Sequence, residues 1–319
     1  MVVDVTDVYD EFNFGEKDPA AIKSFLQDAE STWKKAPRYV LLVGDGSMDP
    51  RGYLSSLNPP IQEDPDFIPV KLVPTSYLKT ASDDWFVDFN NDSLPEMAIG
   101  RLPVDSPAEA ATVVSKIVGY DRGATSDTVS LIADRNDQED NFEDEVGDAG
   151  PPATGLAALI SGKSVQVLRV GSGANESDIV DAFDVGPALV NWVGHGEDLY
   201  WSKSDVFDTD SVPSLTNSWQ LPLVVAMDCL NGYFQDPTET TLAEALLKAS
   251  NGGASAVWAS SGLTSAASQL AANRGLLKAL FAYGSTRIGD AAMAAKSATT
   301  DPDVRRTFTL FGDPTAIFK

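Results

Sequence analysis

The sequence predicts an α/β fold with parallel-rich sheets flanked by helices, and three observations carry that prediction. Short apolar, β-branched runs recur, among them YVLLVGD, TVSLIAD, ALVNWVGHG and LPLVVAMDC. A run of this kind that stops abruptly at Gly or Asp reads as a buried parallel strand whose carboxyl end meets a loop. Segments with apolar residues at helical spacing lie between the runs, as crossover connections require. The chain has 319 residues, 43% of them hydrophobic, enough to bury a sizeable core as one large or two smaller domains.

Residues 19–34 (PAAIKSFLQDAESTWK) open with an Asp-Pro start signal and continue at helical spacing. The strand RYVLLVGD follows, closed by the turn GDGSMDP, where Asp45 and Asp49 serve turn chemistry. Residues 52–66 are rich in Pro, Asn and Asp and read as a surface loop. In DDWFVDFNNDSLPEMAIG, Asp88, Asn90 and Asp92 alternate and Glu96 follows, which gathers hard oxygen ligands in one short loop without the spacing of an EF-hand. Calcium and a plain acidic turn are both open readings there. MAIGRLP is a buried strand with Arg101 at its end, set to pair with a carboxylate. Residues 107–121 begin with Pro at the first helical position and keep a helical period.

The linker DRGATSD places a boundary near residue 125, between an N-terminal α/β subdomain (1–125) and a second α/β subdomain (126–319). In the second part TVSLIAD is a strand ending at Asp134, followed by the acidic stretch RNDQEDNFEDEVGD. GLAALISG is expected as a helix, VQVLRVG as a strand and ESDIVDAF as a short helix. ALVNWVGHG, LPLVVAMDC and ASAVWASSG are three more strands, with TLAEALLKA as the crossover helix between the last two. Residues 265–283 and 286–298 are closing helices, and TAIF is the expected last strand.

Composition removes several classes of function. Asp and Glu number 47 against 23 Lys and Arg, and a net charge of −24 repels nucleic acid and anionic membranes. No apolar run approaches a membrane span, and the opening MVVDVTDVYDEF lacks a basic segment followed by an apolar one, so neither membrane insertion nor a signal peptide is expected in this stretch. One Cys and one His exclude an intrachain disulfide framework and a zinc site built on several such ligands. No GxxxxGK[ST], GxGxxG or GxSxG motif is present.

The single His195 and single Cys229 each end an apolar strand and precede a Gly-containing turn. In open α/β sheets ligands collect at the carboxyl ends of strands, so the two residues are expected to face one crevice. A thiolate is a strong nucleophile near neutral pH, and an imidazole beside it can take the thiol proton and deliver it to a leaving amine. The bland reading is a buried thiol acting as a small hydrophobe and a surface His with a polar partner. Gly194 and Gly196 would let the backbone approach a substrate and take unusual φ values. The N–H groups of Gly196 and Cys229 are candidate oxyanion donors. An imidazole aimed at sulfur gains from a carboxylate on its other nitrogen. Asp134, at a strand end on the same edge, is the first candidate and Asp137 the alternative; capping or a solvated loop is the competing role for both.

These residues carry a family resemblance. LVNWVGHG, the downstream Trp201, SLTNSWQLP and VVAMDCLNGYF resemble the histidine and cysteine blocks of the gingipain family of cysteine endopeptidases, with YVLLVGDGSMDP, ASDDWF, PEMAIGRLPV and FTLFGDPTAIF in support. The resemblance implies a caspase-like fold in two side-by-side subdomains, with His195 as base and Cys229 as nucleophile. It also implies a supporting carboxylate near Asp134 and a preference for a basic residue before the scissile bond. The acid holding that residue would fall near Asp144, with Asp140 and Glu143 close by, and such a carboxylate would bind Arg or Lys by a charge-assisted pair. The same acids also fit a solvated face. The strand carrying Trp258 and the loop ASSGLTSAAS after it would form the pocket's other wall, although the aromatic residue the family places in that loop is not evident. The implied protein needs no organic cofactor, carries calcium structurally if at all, acts as a monomer on protein or peptide substrates, and works outside the cell or at its surface. A surface-attaching transpeptidase on the same dyad and a non-catalytic surface domain are the alternatives.

Overall fold

The structure is a computed structural model that describes residues 1–319 apart from 58, 59, 61–64, 124, 205 and 283–285. Its first part holds helices α1 (Val5–Asn13), α2 (Pro19–Thr32) and α3 (Pro107–Arg122) and strands β1 (Tyr39–Val43), β2 (Leu72–Pro74), β3 (Lys79–Ala81) and β4 (Ala98–Leu102). The remainder holds β5 (Thr128–Ala133), α4 (Phe142–Val146), β6 (Ser164–Arg169), α5 (Glu176–Asp184), β7 (Leu189–Val193), β8 (Tyr200–Trp201), β9 (Phe207–Asp208) and β10 (Leu223–Met227). It closes with α6 (Leu242–Lys248), β11 (Ala256–Ser260), α7 (Ala266–Ala282), α8 (Ile288–Ser297), α9 (Pro302–Thr307) and β12 (Phe308–Phe311).

One eight-stranded sheet runs in the order β1-β4-β12-β11-β10-β7-β5-β6. Its pairs are parallel except β11 with β12, so the sheet is two parallel blocks of opposite direction meeting at that pair. The apolar runs are continuous because both faces are covered. Along β10, Leu223, Val225 and Met227 enter a core under α4, α7 and α8, while Val224 and Ala226 enter the opposite core under α3, α5 and α6. A third cluster packs α1 and α2 against Leu42 and Ile99 of β1 and β4.

The proposed boundary near residue 125 falls in the connection from α3 to β5. Residues 1–125 supply β1 and β4, residues 126–319 the other six strands, and the sheet is continuous across both. β12 closes it: Phe311 pairs with Arg101, and Gly312 donates to the Arg101 carbonyl at 2.9 Å. Gly100 is required there, since a Cβ would lie 2.3 Å from the Gly312 carbonyl oxygen. Arg101, fully buried, meets the carboxylate expected of it: Nε and Nη2 donate to the two oxygens of Asp83 at 2.8 and 2.7 Å, and Nη1 donates to the Gly44 and Ile68 carbonyls.

Several expected elements differ. The last strand is FTLF (Phe308–Phe311) and not TAIF, of which Ile317 makes only an isolated bridge to Arg287. The β-rich FTLF run abuts α9, whose start signal Asp301-Pro302 is the kind read correctly for α2. GLAALISG forms only a short 3-10 turn at Ala157–Leu159, because Gly155 and Gly162 take left-handed φ of 57° and 74° on either side. The acidic stretch contains α4, held by burial of Phe142 and Val146. Parts of the expected 52–66 loop, the linker and the end of the 265–283 helix lie outside the described residues.

Candidate active site

Strands β7 and β10 are parallel neighbours in a register that ends at Val193 opposite Met227. His195 and Cys229 each stand two residues past that pair, on the same edge of the sheet. β5 lies on the far side of β7, with Ala133 opposite Val193, so Asp134 emerges at the same rim.

The backbone of His195 is pinned on both sides. Asp134 Oδ2 accepts from its N–H at 3.3 Å, and its carbonyl accepts from Ser202 N at 2.8 Å and Trp192 Nε1 at 3.2 Å. The other oxygen of buried Asp134 accepts from Ser202 Oγ and from Arg135 N, both at 2.8 Å. The imidazole reaches past this residue. Its Nε2 lies 2.8 Å from Asp137 Oδ2, and its ring meets Phe142 edge to face at 5.1 Å. Asp137 is preorganised, because its Oδ1 accepts from the N–H groups of Glu139 and Asp140, each at 2.9 Å. The bond to His195 and these two N–H donors hold its carboxyl well below the usual carboxylate range. The ring's carboxylate partner is thus Asp137, the alternative, while Asp134 fixes the histidine's main chain.

The two glycines around His195 do not take left-handed φ values; close approach explains them. A Cβ on Gly194 would lie 2.5 Å from both Asp134 Cβ and the Trp192 ring, and one on Gly196 would lie 2.4 Å from Asp228 Oδ2. Trp192 stacks on Trp201 at 5.1 Å, which backs the histidine strand with two buried indoles.

Cys229 is half-buried, and its Sγ lies 3.6 Å from the Thr264 carbonyl. Burial pushes the thiol up to about 11 against that hydrogen bond, with Asp228, when ionised, and Glu197 adding to the rise. The thiol thus favours its protonated form near neutral pH. In this arrangement sulfur is turned to Thr264 and the imidazole to Asp137, and no hydrogen bond joins the two. Among the described residues no backbone carbonyl accepts from the N–H groups of Gly196 and Cys229. Leu230, just beyond, takes φ of 65°, a conformation uncommon for a branched residue, and marks strain in the turn after Cys229.

Sequence reasoning passed over the groups that tie these loops together. Buried Asn231 accepts from Trp201 Nε1 at 2.6 Å and donates to the carbonyls of Glu197 and Tyr200, so it clamps the histidine loop to the cysteine loop. Gln269 Nε2 donates to the Asp228 carbonyl at 3.0 Å and to Thr264 Oγ1 at 2.7 Å. Only a buried Asn two residues past the Cys, in CLNG, could have signalled the first.

Of the residues expected to bind substrate, Asp140 is half-buried, with a carboxylate oxygen within 4.8 Å of ligand atoms of Asp137 and His195. Asp144 is exposed in the first turn of α4. Trp258 is turned into the core, where it packs on Phe308 at 4.8 Å, because its place in β11 faces α7 and α8; it offers no surface to a substrate. In the loop that precedes β4, Asp88, Asp92 and Glu96 bring carboxylate oxygens within 4.8 Å of one another. Backbone N–H groups occupy the same carboxylates: Asp92 N and Ser93 N on Asp88, Phe89 N on Glu96 and Leu94 N on Asp92. Asn90 donates its amide to Glu96 at 2.7 Å. No described helix is long and apolar enough to cross a membrane.

Comparison with known proteins follows the same lines. The sequence model of peptidase family C25 matches residues 1–318. Gingipain R2 of Porphyromonas gingivalis is 28% identical over 240 residues, covering 73% of this chain and 29% of that protein, and gingipain R1 of the same organism is 28% identical over 240 residues, covering 73% and 22%. The chain thus spans less than a third of the length of these curated relatives. Among solved structures, the Arg-specific cysteine proteinase gingipain R (RgpB) superposes with a TM-score of 0.75 at 24% identity, covering 94% of this chain and 68% of that one. The complex of P. gingivalis RgpB pro- and mature domains gives 0.77 at 24%, covering 97% and 72%. These superpositions establish the caspase-like α/β fold, a mostly parallel central sheet flanked by helices. Because the family match runs over nearly every residue, the chain belongs to peptidase family C25, a family of cysteine-type peptidases.

Proposed function

We propose that this chain is the catalytic unit of a cysteine endopeptidase that works through a Cys229–His195 dyad and a thioester acyl-enzyme. The observation that carries the reading is the register of β7 and β10, which puts the only imidazole and the only thiol at matching positions on adjacent strands. With Asp137 on Nε2, Nδ1 is the nitrogen left to take the thiol proton. The thiolate attacks the peptide carbonyl carbon, and the carbonyl oxygen becomes an anion held by the Gly196 and Cys229 N–H groups. The C–N bond then breaks, His195 returns its proton to the departing amine, and water attacks the thioester to release the acid and the thiol.

Specificity for a basic residue before the cut is part of the proposal, supported by the Arg-specific relative and by the acids near the histidine. Asp140, beside Asp137 and His195, is the better placed acid to receive it, and Asp144 the second. Asp88, Asp92 and Glu96 suit a hard divalent cation such as calcium, which would brace the loop before β4. Action outside the cell or at its surface belongs to the same proposal.

The test is stoichiometric alkylation of Cys229 at neutral pH together with cleavage of a peptide library scored for the residue before the cut. Rapid alkylation lost in His195→Ala, and cleavage lost in Cys229→Ala, are expected. An inert thiol would instead favour a non-catalytic surface domain, and diversion of product onto an added amine would favour the transpeptidase.

A further inference from the structure

Asp228 is the residue immediately before the nucleophile, and its surroundings are unusual for a carboxylate. It is 1% exposed, and neither side-chain oxygen has a hydrogen-bond partner among the described residues. One of those oxygens presses on the Cα of Gly196, where even a methyl group could not fit. Buried carboxyls are ordinarily hydrogen-bonded or paired, and an unpaired charge in such a place is too costly to keep. Burial pushes this carboxyl well above its ordinary value, with no opposing charge recorded. The groups around it are Cys229 next to it in the chain, His195 and Glu197 on either side of Gly196, and the neutral Gln269 that holds its main-chain carbonyl. Glu197 is the one acid among these whose charge bears on the same sulfur.

Resting on the peptidase reading above, we propose that Asp228 is a positioning residue that works as the neutral acid: it braces the Gly196 peptide from beneath, and its ionisation shuts the site. Both charges that form during acylation, on sulfur and on the carbonyl oxygen, are negative. A neutral carboxyl under Gly196 leaves both unopposed, whereas a carboxylate there disfavours each. The same contact sets where the Gly196 N–H points, so the brace and the charge requirement reside in one side chain.

Asp228→Asn keeps shape and neutrality and cannot ionise; Asp228→Ala removes the brace. With the full chain and a peptide substrate, Asp228→Ala is expected to lower kcat at least tenfold with little change in KM, and Asp228→Asn to restore most of it. Iodoacetamide alkylation of Cys229 across pH gives a readout that needs no turnover. Its midpoint in Asp228→Asn is expected about one pH unit below wild type, the size of shift a nearby carboxylate imposes. If Asp228→Asn is as impaired as Asp228→Ala while both melt like wild type, an ionised Asp228 is required and the proposal is overturned. Identical alkylation midpoints in wild type and Asp228→Asn overturn it as well. A wild-type chain that alkylates in this way but cleaves no peptide would sink the peptidase reading and leave the Asp228 result interpretable.

Discussion

Exchanging Asp137 for Asn, beside the matching exchange of Asp134, separates the two carboxylates that contact His195. In Asp137→Asn the ring keeps a neighbour of the same shape but loses a charged acceptor 2.8 Å from Nε2. Both side chains are about a third exposed, at 30% for His195 and 34% for Asp137. The bond therefore falls at the lower end of the range for charge-assisted hydrogen bonds, which corresponds to about a tenfold loss in kcat/KM. Stability should fall by less than about 1 kcal/mol near neutral pH, because both side chains are exposed enough for solvent to screen the pair. Because the folded-state value of Asp137 is depressed, its contribution to stability is present above the ordinary carboxylate value and lost only as pH falls through the lower folded one. Asp134→Asn presents the opposite pattern. Its buried oxygens accept from three groups, and an amide must turn a donor toward one of them, costing about 1–3 kcal/mol. A lower Tm should accompany its loss of activity. The assay is kcat/KM on an Arg-containing peptide with thermal unfolding of each variant. If Asp137→Asn keeps full activity while Asp134→Asn alone slows turnover at unchanged Tm, the assignment of the ring's partner is wrong.

Arg101→Met leaves Asp83 buried without its bidentate partner and should cost about 3–5 kcal/mol, read as a lower urea midpoint; a shift under about 1 kcal/mol would refute the pair's role. Gly196→Ala forces a methyl against Asp228 and should lower both Tm and kcat, by about 1–3 kcal/mol in stability, and a silent substitution would contradict the close approach. Calcium at 100 times its Kd should raise stability by about 2.7 kcal/mol, an effect abolished in Asp92→Asn; an unmoved Tm in millimolar calcium removes that site. Lys116 donates to three carbonyls at the end of α6, and burial pushes it down to about 7. The unfolded chain then holds the extra proton between about pH 7 and about pH 10.4, so wild-type stability relative to Lys116→Met should climb across that window, and parallel curves would count against it.

What could be read before any coordinates depended on how local the cause was. The inner strands were legible because both faces of each are buried, which writes a continuous apolar run into the sequence, as in LVVAM. His195 and Cys229 stood out because each is unique and ends such a run. The partner of the imidazole was harder to place, since a strand-end rule points to Asp134 whereas the ring extends over the following turn to Asp137. Trp258 looked like a pocket wall from its nearness in sequence to the 261–265 loop, but alternation along β11 turns it inward. Asn231, Gln269 and Asp228 act through contacts across separate loops, and beyond the nearness of Asn231 and Asp228 to Cys229 nothing in the sequence marks them. The reversal at β11 and β12 was equally hidden, because an antiparallel partner writes the same apolar pattern as a parallel one.

That reversal bears on how the molecule is assembled during synthesis. Chains emerge N-terminus first, and β4 can reach β11 only through β12, which is made after all the others. Until Phe308–Phe311 leaves the ribosome, the nascent polypeptide carries two half-sheets with facing raw edges, one bearing the cysteine and histidine, the other the arginine beneath Phe234. A chain interrupted before Phe308 therefore lacks the one strand that hydrogen-bonds to both β4 and β11.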